Sequence, residues 1–187
     1  SCSAHKLNGP KGTGCLVSRS PKALRALLLG GPQEHRRRGG TENVAGIVGF
    51  GLACAIAKKE LPGRIESYRA LRDALWNELS ERLPGLTRNG SEEHVLPNTL
   101  NLEVAGAPGE VMVQALDLEG IAISMGAACH SGSISPSHVL TAMGLTPEQT
   151  RSSLRLSVGE GLTSADMVVA AERISVVAQR ARKAHTG

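Results

Sequence analysis

The sequence predicts an α/β protein, and three observations carry that prediction. Only Phe50, Tyr68 and Trp76 are aromatic among 187 residues, so Leu, Val, Ile and Ala must fill the core, as happens where parallel strands lie between helices. Short apolar runs of strand character alternate along the chain with longer segments of helical period. A composition of 41% hydrophobic and 20% charged residues has neither the low hydrophobicity of a disordered chain nor the long apolar run of a membrane span.

In chain order, Gly14 to Ser18 reads as a short buried strand entered from the Gly9-Pro10-Lys11-Gly12 turn, and Pro21 starts a short helix that runs to Leu29. Residues 30–40 contain no apolar side chain other than Pro32, which predicts a loop over a surface or along a polar cavity. Asn43 to Lys59 reads as a mostly buried helix. Leu61-Pro62-Gly63 should end it and mark a domain boundary. Beyond it Ile65, Tyr68, Leu71, Leu75, Leu79 and Leu83 recur at spacings of three and four, the signature of a helix packed on one side.

Thr99 to Val104 alternates like a half-buried strand, Gly109 to Leu118 reads as a helix, and Ile121 to Ser124 as another strand. A Gly/Ser-rich loop from Met125 to Pro136 holds Cys129 and precedes a short helix near Ser137 to Met143. Leu154 to Val158 reads as the last strand. Thr163 with Asp166 opens a final amphipathic helix that carries Met167, Ala170, Ile174, Val177 and Ala181 on one face.

The formal charge of +4 is modest. The dense basic cluster Arg36-Arg37-Arg38 is short and poor in neighbouring aromatics, which fits a solvated loop better than a nucleic-acid surface. Cys2, Cys15, Cys54 and Cys129 stand far apart with no C-x-x-C pair. Zinc spacing is therefore missing, a small disulfide scaffold is not expected at this length, and a reducing cytoplasm fits best. The opening Ser-Cys-Ser-Ala-His-Lys has no charged region followed by an apolar one, so a secretory leader is not expected, and its abrupt start predicts a cut through a domain.

Chemistry concentrates in four segments. Ser3-Ala4-His5-Lys6, followed by residues 8–14 with three glycines, puts a lysine beside two groups able to bind phosphate oxygens. A phosphate-bearing aldehyde would suit that set. Lysine forms a Schiff base with such an aldehyde only as the free amine, which calls for a partly desolvated, cationic pocket. The segment resembles the cofactor-lysine segment of the cysteine desulfurase family. Three further segments resemble that family in the same order: Gly30 to Asn43 its Gly-Gly-x-Gln-Glu-x-x-x-Arg-x-Gly-Thr loop, Gly126 to Gly132 its active-cysteine loop, and Arg151 to Gly159 its substrate-arginine strand.

The resemblance implies a fold type I pyridoxal-phosphate (PLP) transferase. Residues 1–61 would end the large cofactor domain, and residues 62–187 would form the small C-terminal α/β domain. It implies that Lys6 is the Schiff-base lysine and that Ser3 and His5 help hold the cofactor phosphate. It gives Thr41 to the phosphate of a partner subunit, and hence implies a homodimer. Cys129 would become a persulfide, Arg155 would clamp the carboxylate of L-cysteine through a planar bidentate pair, and Asn101 would face cofactor or substrate. A sulfur-acceptor protein, for example in iron–sulfur cluster assembly, would be the partner, with neither membrane nor direct nucleic-acid binding.

A thiol attacks as thiolate, so Cys129 needs exposure and a positive setting. His130 either helps to deprotonate it or is an idle surface imidazole. His130, where many relatives carry Thr, is shared with selenocysteine lyases and leaves sulfur against selenium open. Pro32, where glycine is common, should stiffen its loop. A carboxylate for the pyridine nitrogen, a ring-stacking group and a phosphate-binding helix start would lie upstream of Lys6 in this family, so the chain is expected to be one part of the whole pocket. Two readings from other classes are a non-catalytic docking module for a sulfur acceptor and a phosphate or nucleic-acid binder built on Arg36 to Arg38.

Overall fold

The computed structural model describes residues 1–20, 23–125 and 137–185. The chain divides into two compact units, Ser1–Pro62 and Gly63–Gly187.

In the first unit β1 (Cys2–Ser3) pairs antiparallel with β2 (Gly14–Cys15), in the register Cys2 to Cys15 and Ser3 to Gly14. A 3-10 helix, Ala4–Leu7, lies between them. The strand expected from Gly14 to Ser18 stops pairing at Cys15, and Leu16 and Val17 are exposed. The helix expected from Pro21 to Leu29 does not form over residues 24–29, where Leu27 and Leu29 are 92% and 85% exposed. Pro21 itself lies outside the described residues. So short a segment pays the nucleation cost of a helix with no face to bury in return. The loop of residues 30–40 contains α1 (Gln33–Arg36), a single turn in which Glu34 (φ 48°, ψ 40°) and His35 (φ 57°, ψ 44°) are left-handed. Its neck is closed by Gly39 N–H donating to the Leu28 carbonyl at 2.8 Å.

The two helices expected on either side of Leu61-Pro62-Gly63 are one continuous helix, α2 (Val44–Arg82), with Pro62 inside it. Proline removes one N–H, here the bond to the Lys58 carbonyl, and a helix with long anchored flanks survives that loss. The expected stop is therefore overturned.

The second unit holds a three-stranded antiparallel sheet in the order β3 (Leu86–Arg88), β4 (Thr99–Val104), β5 (Ser153–Ser157). Along β4, Leu100, Leu102 and Val104 are buried while Thr99, Asn101 and Glu103 are half-buried, the alternation that a sheet with one covered face requires. The covering layer comes from Leu71, Leu75 and Leu79 of α2 with Leu83 just past its end, from Met112 and Leu116 of α3 (Gly109–Leu118), and from Met167, Ile174 and Val177 of α6 (Ser164–His185). Every strand pair among the described residues is antiparallel, so the parallel strands inferred from the lack of aromatics are absent there. Small aliphatic side chains serve helices stacked on one sheet face equally well.

Two short helices connect β4 to β5 late in the crossover. In α4 (His138–Ala142) the Ser137 side chain accepts from Leu140 N–H. In α5 (Pro147–Arg151), Thr146 and Gln149 form a reciprocal capping box and Pro147 stands in the first turn. The α6 start is capped as expected: Thr163 N–H and hydroxyl both donate to Asp166 Oδ2 at 2.7 Å, which holds that carboxyl below its usual range. No helix of the described residues is long and apolar enough to cross a membrane.

Candidate functional site

The first unit presents Ser3, His5, Lys6 and Thr41. Ser3 ends β1, and His5 and Lys6 project from the 3-10 turn, both exposed. The turn is held at its base by Ala4, fully buried, whose N–H donates to the Thr13 carbonyl and whose carbonyl accepts from Gly9 N–H, both at 2.9 Å. Asn8 ends the turn in the left-handed region (φ 60°), which Asn tolerates better than most residues. The glycines are needed for close approach: a Cβ on Gly14 would lie 2.6 Å from the Cys2 carbonyl oxygen, and one on Gly49 would lie 2.7 Å from Pro10 Cγ. Gly46 and Gly49 thus let the residue 10–13 turn rest on the start of α2, where Asn43 Oδ1 accepts from Gly46 N–H at 3.1 Å and Asn43 Nδ2 donates to Thr13 Oγ1 at 3.5 Å. Thr41 is exposed two residues before that cap.

Lys6 is exposed, so the described residues do not themselves supply the partly desolvated setting expected for a Schiff-base lysine, although the amine, the Ser3 hydroxyl and the His5 imidazole form a donor set suited to a phosphate-bearing aldehyde. Cys2 and Cys15, distant in sequence, face each other across β1 and β2, and Cys54 is also near. All three are free thiols. Desolvation first, and then the neighbouring Cys2, push the Cys15 thiol up, so it is a poor thiolate at neutral pH.

The second unit presents Asn101 and Arg155. They are direct partners in the β4–β5 register. Val104 N–H donates to the Ser152 carbonyl and Val158 N–H to the Asn98 carbonyl, each at 2.9 Å. By alternation Asn101 and Arg155 form a non-hydrogen-bonded pair, the kind whose side chains stand closest. The main chain of Arg155 turns the other way: its N–H donates to the Ser124 carbonyl at 2.7 Å, and Ser124 N–H donates back at 3.2 Å. Of the strand expected from Ile121 to Ser124, this bridge is the part that forms.

Across β3 the row continues to Asn89, whose N–H donates to the Asn101 carbonyl at 2.9 Å. Asn89, Asn101, Arg155 and Ser124, all half-buried, therefore form one polar row on the sheet face opposite the leucine layer. Asn89, together with Ser153 and Gln149 behind it, is absent from the sequence-based candidates. The Asn89-Gly90 turn pair is a local signal, but its partner lies 64 residues away at Ser153. Cys129 and His130 lie outside the described residues, five and six positions beyond Ser124.

The sequence model of the aminotransferase class-V family matches residues 1–168. The "Putative cysteine desulfurase IscS 1" of Bacillus subtilis is 42% identical over 181 residues, 96% of this chain and 48% of that protein. The "Cysteine desulfurase IscS" of Dictyoglomus turgidum is 42% identical over 167 residues, 89% of this chain and 42% of that protein. A solved "NifS-like protein" matches with a TM-score of 0.83 and 31% identity over 95% of this chain and 45% of its own. The chain spans about half the length of the curated relatives it matches.

Proposed function

The chain belongs to the aminotransferase class-V family, and from that premise we propose that it supplies the cofactor lysine, the sulfur-accepting thiol and the substrate clamp of a PLP-dependent cysteine desulfurase. One geometric observation supports this reading above others. Ser124 and Arg155 exchange both main-chain hydrogen bonds, so the arginine is fixed at the root of the segment that carries Cys129.

In the proposed reaction the Lys6 amine would hold the cofactor, Ser3 Oγ and the His5 imidazole would donate to its phosphate, and Thr41 would serve a second copy. The cofactor, when bound, acts as the electron sink for the substrate α-carbon. Arg155 would bind the carboxylate of L-cysteine through a planar bidentate pair. Lys6 Nζ would take the α-proton and later return a proton to carbon. The Cys129 thiolate forms a bond to the substrate sulfur. The carbon–sulfur bond breaks, its electron pair stays with the carbon side, and protonation there gives L-alanine and a Cys129 persulfide. A sulfur-acceptor protein would then relieve the persulfide. On this reading residues 1–61 complete a cofactor domain and residues 62–187 form the thiol-bearing domain.

The test uses the full-length, cofactor-loaded protein. Borohydride reduction should fix the cofactor on the peptide containing Lys6, and Cys129→Ser should abolish alanine formation from L-cysteine. A label on another peptide, or parent turnover in Cys129→Ser, sinks the reading. His130 favours a second reading, selenocysteine lyase; faster turnover of L-selenocysteine, retained in Cys129→Ser, would select it.

A further inference from the structure

Behind the polar row lies a hydrogen-bond chain whose direction is fixed by one group that cannot donate. The main-chain carbonyl of Gln149 accepts from Ser153 Oγ at 2.7 Å. A carbonyl has no proton to give, so the Ser153 hydroxyl proton must point at it. The Ser153 oxygen is then an acceptor toward its other neighbour, which forces the Asn89 atom 2.9 Å away to be Nδ2 rather than Oδ1. The same Nδ2 lies 2.7 Å from the Asn101 side chain, and its second proton requires an oxygen there, Oδ1.

The anchor is rigid. Gln149 is held by its own side chain, with Oε1 accepting from Thr146 N–H at 3.0 Å and Nε2 donating to Glu103 Oε2 at 3.2 Å. Ser153 is fully buried. Asn101 therefore has its carbonyl turned to Asn89, which leaves its NH2 on the opposite edge of the amide, and its cross-strand partner in the β4–β5 register is Arg155. A guanidinium and an amide NH2 are both donors, and neither offers the other a lone pair. A substrate carboxylate bound by Arg155, as proposed above, is acceptor-only and could take a hydrogen bond from the amide NH2 as well.

We infer that Asn89 is a positioning residue for substrate: by locking the Asn101 amide it presents the Asn101 NH2, beside Arg155, as a second donor to the amino-acid carboxylate. This rests on the assignment of Arg155 to substrate proposed above and deepens it. Asn89 does not itself touch the carboxylate. Its contribution is to hold one of two amide orientations, and the other would aim a carbonyl oxygen at the bound anion.

The experiment is Asn89→Asp in the full-length, cofactor-loaded enzyme. An aspartate at this place can only accept, so Asn101 turns its NH2 to it and the Asn101 carbonyl swings away from residue 89. The expected result is a rise of about tenfold, equivalent to about 1.4 kcal/mol, in both KM for L-cysteine and the calorimetric Kd of the product L-alanine. The turnover number should stay within about twofold, because the lost interaction is one that ground state and transition state share. Ser153→Ala, which keeps Asn89 but releases its direction, should raise both constants by a smaller factor. Arg155→Lys is the reference arm. If it raises both constants while Asn89→Asp and Ser153→Ala leave them at the parent value, the positioning role is overturned and the Arg155 assignment stands. A loss of turnover with both constants unchanged also overturns it, as the mark of a merely structural residue. If Arg155→Lys leaves both constants alone, the underlying assignment has failed and the inference falls with it.

Discussion

Gly14→Ala should separate β1 from β2 and loosen the lysine turn. The added Cβ would lie 2.6 Å from the Cys2 carbonyl oxygen, main chain against main chain. Ordinary carbon–oxygen contacts begin near about 3.3 Å, so the strands must part by about 0.7 Å. No flexible side chain can absorb that shift. Overpacking of this kind costs about 1–3 kcal/mol, offset by about 0.4–1 kcal/mol from the smaller entropy of the unfolded alanine chain. The net expectation is a loss of about 1–2 kcal/mol. Because β1 runs directly into the Ala4–Leu7 turn, cofactor occupancy should fall together with stability. Urea unfolding of the full-length protein, with slope unchanged and midpoint lowered, reads the first quantity, and cofactor absorbance per chain reads the second. Gly51→Ala is the control: it lies in α2 with open space around its Cβ, and alanine there should be neutral or stabilising by up to about 1 kcal/mol. Equal midpoints and equal occupancy in the two variants would refute the argument from close approach.

Three other outcomes are expected. Leu102→Ala, at a fully buried position in the middle strand, should cost about 3–5 kcal/mol in urea unfolding through lost burial and the cavity left behind. Pro62→Ala should stabilise α2 by up to about 3 kcal/mol, since it restores an N–H inside a helix that already runs through the site; a lower midpoint would show that the proline is needed. The Asp166 carboxyl is held below its usual range by Thr163. Its folded-state pKa is depressed, so its stabilising effect is present above the ordinary aspartate range and is lost as pH falls through the depressed value. The stability difference between the parent and Asp166→Ala should therefore shrink on acidification below about pH 4, and a difference that stays constant with pH would contradict the cap.

The polar row explains why much of this site was not legible in one dimension. Arg155 and Asn101 could be singled out from their segments, because a motif is a local property. That they are cross-strand partners depends on a register set by Leu100, Leu102, Leu154 and Leu156 turning to the same covered face. Asn89 and Ser153 are ordinary polar residues in the sequence and become meaningful only when three strands lie side by side.

What the sequence determined by itself was local in origin. The alternation of Thr99 to Val104, the periodic stripes of Gly109–Leu118 and Ser164–His185, and the Thr163–Asp166 cap each depend on neighbours within a few positions. Tertiary structure decided what depends on burial elsewhere. It carried α2 through Pro62, where long flanks outweigh a single lost bond, and left residues 24–29 without a helix, where no buried face supports a weak local preference. It also gave the Asn101 amide its direction, through a carbonyl 48 positions away in the chain whose inability to donate is felt only across space.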